Sequence, residues 1–116
     1  MRPSHPLALG PTLTALAFAL VLGAPAGAEE AGYTLVIKNH RFEPARLEIP
    51  AGRKVTLVVR NLDATAEEFD SHDLKREKIV PAGKSANLVI GPLDPGSYRF
   101  VGEVHEDSAV GEIVVK

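Results

Sequence analysis

The sequence predicts an all-β fold, a Greek-key β-sandwich, and three observations carry that expectation. Apolar and polar residues alternate with period two along several short segments, the pattern of strands that bury one face. Proline–glycine breakers separate these segments, at Pro50-Ala51-Gly52, Pro81-Ala82-Gly83 and Pro92-Leu93-Asp94-Pro95-Gly96. No periodic segment of helical length lies between them, which favours a sandwich over a helix-containing fold.

Each element follows from its residues. Tyr33, Leu35 and Ile37 alternate with Thr34, Val36 and Lys38 to make the first strand. Val55, Leu57 and Val59 alternate with Thr56, Val58 and Arg60, and Ala86, Leu88 and Ile90 with Ser85, Asn87 and Val89. Tyr98 and Phe100 continue the pattern as expected core residues, and Ile113 and Val115 close it. In each breaker proline fixes φ and the following glycine accepts a positive φ, so each is a turn with a mechanism. Asp63 to Glu68 has room for one helical turn and no more. His40, just before Arg41-Phe42 in a turn, is expected at the surface. The charged run from Asp73 to Lys78 reads as a solvated connection.

The first residues predict export. Arg2 and His5 form a weakly basic start, an apolar run extends from Leu13 to Leu22, and Ala26-Gly27-Ala28 supplies small residues for cleavage. The apolar run falls short of the roughly 20 residues that span a bilayer. The expected organisation is a secretory signal peptide over residues 1–28 and one domain over residues 29–116. The chain has 116 residues, a formal net charge of −2 and no cysteine, so no disulfide supports the domain in an oxidising compartment. No basic patch with interleaved aromatics occurs, which argues against nucleic acid as a partner. Catalytic signatures are equally absent: there is no nucleophile elbow, P-loop or zinc-protease helix. Ser71 and His72 are adjacent strand residues facing opposite ways, as are Glu67 and Glu68, so neither pair makes an acid–base or nucleophilic site.

Several landmarks occur in a telling order. Phe42-Glu43-Pro44 leads to Leu47-Glu48-Ile49-Pro50-Ala51-Gly52, then Val55-Thr56-Leu57 runs into Asn61-Leu62-Asp63. Pro81-Ala82-Gly83-Lys84-Ser85 and Gly91-Pro92-Leu93 follow, then Pro95-Gly96, Tyr98 and Phe100. This series resembles the cupredoxin family over nearly all of residues 29–116. More narrowly, the strings AEEFDSHDLKREKIVPAG and GEVHEDSAVG are similar to bacterial periplasmic cupredoxin-like proteins associated with high-affinity iron permeases. The resemblance implies a periplasmic protein that presents or oxidises ferrous iron, or handles copper for that oxidation. A membrane iron permease and other periplasmic iron-uptake components are the implied partners.

The same resemblance assigns ligand positions. It places Glu67 where the family carries its first histidine, Gly102 where it carries cysteine, and His105 at the second histidine. Ala109 or Val110 stands at the methionine. The only methionine is Met1. Without a thiolate, blue type 1 copper loses the soft ligand on which its chemistry depends. An imidazole with carboxylates suits iron, manganese or tetragonal Cu(II) instead. The expected metal ligands are therefore Glu67 and His105, with Glu103 and Glu68 as helpers and His72 if its strand face borders the loop. Glu103, Glu106 and Asp107 also have the simpler reading of solvated loop charges. Any enzymatic role is limited to metal-centred Fe(II) oxidation. Two rivals remain open: a Cu(II)-handling protein, and a metal-free interaction domain of a membrane transport system.

Overall fold

The computed structural model describes residues 31–116, so the signal peptide expected over residues 1–28 and the boundary at residue 29 lie outside the described residues. Strands β1 (Ala31–Lys38), β2 (Arg41–Glu43), β3 (Arg46–Ile49), β4 (Val55–Asn61) and β5 (Glu67–Ser71) come first. They are followed by β6 (Arg76–Val80), β7 (Ser85–Ile90), β8 (Gly96–Gly102) and β9 (Val110–Val115). One sheet has the order β2-β1-β4-β7, the other β3-β9-β8-β5-β6. β1 pairs parallel with β4 and β3 parallel with β9, while the other pairings are antiparallel. The expected two-sheet sandwich is what the chain forms.

Alternation puts the core where the sequence pattern points. Leu35, Ile37, Val55, Leu57, Val59, Leu88 and Ile90 bury one face of the first sheet, and Ile49, Phe69, Val80, Phe100, Ile113 and Val115 meet them from the second. Phe100 stands at the centre, edge-on to Phe42 at 4.8 Å and stacked on Phe69 at 5.1 Å between ring centroids. Such aromatic pairs contribute about 0.5–1.5 kcal/mol beyond their buried area. Tyr98 packs on the margin of this core rather than within it, because its hydroxyl must reach water or a partner; it donates to the Asp94 carbonyl at 2.8 Å.

Two local features set up one end of the sandwich. Lys38 and Arg41 pair across the β1–β2 hairpin, leaving a two-residue loop of Asn39 and His40 with φ of 53° and 58°. Two positive φ values are what a type I′ hairpin turn requires, and its second position ordinarily favours glycine. The helical turn allowed between Asp63 and Glu68 does not form. The Asn61 side chain instead braces this segment as an open connection. Its Oδ1 accepts from the Asp63 amide at 2.9 Å, and its Nδ2 donates to the carbonyls of Thr65 at 2.8 Å and Val80 at 3.0 Å. Asn61 is 1% exposed, so this side-chain scaffold is internal and ties β4 to the end of β6.

Candidate metal-binding pole

Three loops converge at the end of the sandwich: the β1–β2 hairpin, the β4–β5 connection and the β8–β9 loop with its single 3₁₀ turn at Glu103–His105. Strand alternation in β5 turns Glu67, Phe69 and Ser71 inward and leaves Glu68 and Asp70 on the outer face. Glu67 opens that strand and is thereby delivered, 2% exposed, beneath the β8–β9 loop.

The buried carboxylate is fully engaged. Its Oε1 accepts the backbone amides of Glu68 at 2.9 Å and Val104 at 2.8 Å, and its Oε2 lies 2.8 Å from His105 Nδ1. Burying a carboxylate is costly unless its oxygens are hydrogen-bonded, and here two amides and one imidazole nitrogen engage both of them. The β8–β9 loop is thus pinned to β5 through one side chain. The loop also closes on itself: the His105 carbonyl accepts from Ser108 at 3.1 Å and Ala109 at 2.8 Å.

A second imidazole lies over the first. The His40 and His105 rings are stacked with centroids 3.6 Å apart and an interplanar angle of 17°. His40 Nδ1 is 3.4 Å from Asp63 Oδ2, and Asp63 in turn accepts the amides of Asn39 at 2.7 Å and His40 at 2.9 Å. Burial alone would push the Asp63 carboxyl up. The two amides and the imidazoles of His40 and His105 outweigh it, so the group sits below the ordinary aspartate value. Ser108 completes the contact by donating its hydroxyl to the His40 carbonyl at 2.6 Å.

Sequence reasoning expected His40 at the surface; its side chain is 42% exposed there, and the ring contact with His105 is what that reading missed. Asp63 was likewise missed as a site residue. No local sequence pattern marks either residue, because the contact joins a hairpin loop to segments distant in the chain.

The structure brings Glu67 and His105 together, and it leaves the three proposed helpers outside that contact. Glu68 points to the opposite face of β5. Burial first, then the charges of Glu103, Glu77 and Asp70, hold its carboxyl above the usual glutamate value. Glu103 is exposed and belongs to that same acidic surface. His72 follows the far end of β5, about 16 Å along the strand from Glu67 at roughly 3.3 Å per residue. It lines a small cleft with Asp70, Asp73 and Arg99. Among the described residues no three His, Asp or Glu side chains converge as a ready-made metal cage.

Blue type 1 copper does not fit these residues. A Cβ added at Gly102 would lie 2.7 Å from both the Glu67 carboxyl carbon and the Ala109 Cβ, so no thiolate side chain is accommodated there without displacement. Ala109 is completely buried as a core residue and offers no donor. The Glu67 carboxylate fills the space that a soft-ligand centre would need.

The fold and this pole define a class. The chain belongs to the cupredoxin-like domain family, which matches residues 12–115. It is 47% identical over 81 residues to an uncharacterized protein of Rickettsia prowazekii, a match covering 70% of this chain and 65% of that relative's length. Among solved structures it is similar to auracyanin A, a blue copper protein of Chloroflexus aurantiacus. That likeness has a TM-score of 0.66 and 14% identity, covering 76% of this chain and all of the other. It is also similar to the metal-binding domain of a Cu(I)-exporting P-type ATPase from Streptococcus pneumoniae. There the TM-score is 0.66 with 10% identity, over 73% of this chain and 84% of that domain. At such identities the structural likeness concerns the fold. No helix among the described residues is long and apolar enough to cross a membrane.

Proposed function

We propose that this protein is an exported, periplasmic metal-binding cupredoxin that serves iron uptake beside a membrane iron permease, using imidazole nitrogen and carboxylate charge in place of thiolate. One observation carries the reading: His105 is clamped by a 2%-exposed carboxylate at 2.8 Å while its own side chain stays 28% exposed. A histidine held by a buried carboxylate and still reachable from solvent has the arrangement of a metal-ligating imidazole. Nitrogen and oxygen donors suit iron and Cu(II) alike and disfavour the soft copper chemistry of sulfur sites. The string similarity to iron-permease-associated cupredoxins is what favours iron between them. Leu62 and Val104, 53% and 58% exposed, adjoin Asp63 and His105 in the chain and offer apolar contacts at this pole for a permease or another uptake component.

Metal content is the test. Protein recovered from its native compartment under iron limitation and under copper limitation should carry iron, and His105→Ala should lose it while keeping its fold by circular dichroism. Copper in place of iron under both regimes would make it a Cu(II)-handling protein. A metal-free domain is the second reading, favoured by the fact that the protein itself satisfies both Glu67 oxygens. Recovery without any metal under both regimes would select that reading.

A further inference from the structure

The pole holds two imidazoles, and both are backed by carboxylates. We propose that His40 and His105 bind a divalent first-row metal ion through their Nε2 atoms, with Glu67 and Asp63 as the orienting groups behind them. This rests on the metal-binding reading above and assigns its donor atoms, moving Glu67 from ligand to positioning residue.

The donor atoms follow from the hydrogen bond. A neutral imidazole that donates its Nδ1 proton to the Glu67 carboxylate keeps its lone pair on Nε2, the nitrogen a metal ion would take. His40 faces Asp63 through Nδ1 in the same sense, at the looser distance of 3.4 Å. Among the described residues neither Nε2 has a protein partner. Histidines that ligate metals characteristically donate their other ring N–H to a carboxylate, which fixes the ring and raises its basicity. The backbone agrees. His40 occupies the second position of the tight hairpin turn, at φ 58°, which holds its ring against His105. Two carboxylates also place two negative charges behind the rings, which favours a dication.

The stack dictates how an ion enters. Lone pairs lie in the ring planes, and at 3.6 Å the two planes run side by side. One ion at about 2.0–2.1 Å from each nitrogen therefore requires the rings to fan apart. His105 is clamped at 2.8 Å, whereas His40 is 42% exposed and more loosely held, so His40 is the ring that swings. Binding exchanges the ring stack for two coordinate bonds. Two protein donors leave the remaining positions to water or to a ligand from a partner, an arrangement suited to handing an ion on.

Zn(II), diamagnetic and content with imidazole, is the probe. Long-range proton–nitrogen NMR of the purified protein should show the Nε2 resonances of both His40 and His105 shifting on Zn(II) addition, with both Nδ1 atoms remaining protonated. His40→Asn keeps a residue that tolerates positive φ and should weaken Zn(II) binding by about tenfold or more. Glu67→Gln and Asp63→Asn should each weaken it by about 10–100-fold without touching a ligand. His40→Asn binding Zn(II) as tightly as the parent, with His105→Asn impaired, overturns the two-imidazole site and leaves the metal-binding reading standing. Nδ1 shifts in place of Nε2 shifts overturn the donor assignment. No Zn(II) binding by the parent protein sinks both readings together.

Discussion

Replacing Glu67 by alanine should loosen the loop pole while leaving the two sheets folded. The carboxylate holds three donors: the Glu68 amide at 2.9 Å, the Val104 amide at 2.8 Å and His105 Nδ1 at 2.8 Å. Hydrogen bonds to a charged group contribute about 1.5–3 kcal/mol each, a gross loss of roughly 4–9 kcal/mol. Removing the buried charge returns several kcal/mol of desolvation, and water reaches the part-exposed donors, so the net cost is about 3 kcal/mol. For a domain of this size that lowers Tm by roughly 12–24 °C. Glu67→Gln is the control. Its carbonyl oxygen can keep both amides, and its amide nitrogen donates to Nδ1 only if the imidazole proton moves to Nε2, for about 1 kcal/mol. Chemical denaturation followed by circular dichroism reads both variants, with an unchanged slope confirming two-state unfolding. If the alanine variant unfolds within about 0.5 kcal/mol of the parent, the carboxylate does not pin the pole and the reasoning fails.

Gly102→Ala should cost about 1–3 kcal/mol by overpacking, since the new Cβ meets Glu67 and Ala109 at 2.7 Å. In a Glu67→Ala background that cost should shrink, which a double-mutant cycle measures. Asn61→Ala should cost about 2–3 kcal/mol and speed hydrogen exchange at the Asp63 amide, which loses its acceptor. Glu68 has its pKa raised on folding, by burial first and then by Glu103, Glu77 and Asp70. Its charge therefore disfavours the folded state at neutral pH, and that penalty is relieved as pH falls through the raised value. Glu68→Gln should melt higher than the parent at pH 7, with the gain vanishing below about pH 4. An equal gain at both pH values would mean that the charge is not the cause.

Period-two alternation was legible because it is local: a strand that buries one face must repeat every second residue. Leu35 and Ile37, Val55 to Val59, and Phe100 are buried where that pattern puts them. The same rule sends Glu68 away from Glu67. The order of the ligand-loop landmarks brought Glu67 and His105 into consideration as a pair, through resemblance rather than spacing. The Asp63–Glu68 segment, with room for at most one helical turn, forms none: Asn61 braces its start and Glu67 and Glu68 are drawn into β5.

What the amino-acid order determined was the sandwich, its turns, and the loss of the sulfur ligands, since these depend on neighbours in the chain or on composition. What the tertiary structure alone decided was which groups share the pole. His40 lies far from His105 in the chain, and nothing near either residue reports the ring stack, the Asp63 carboxylate beside it or the Glu67 oxygens beneath it. Those contacts arise when three loops are carried to one end by strands from two sheets. Side-chain geometry there depends on how distant segments pack, and local sequence patterns hold no record of it.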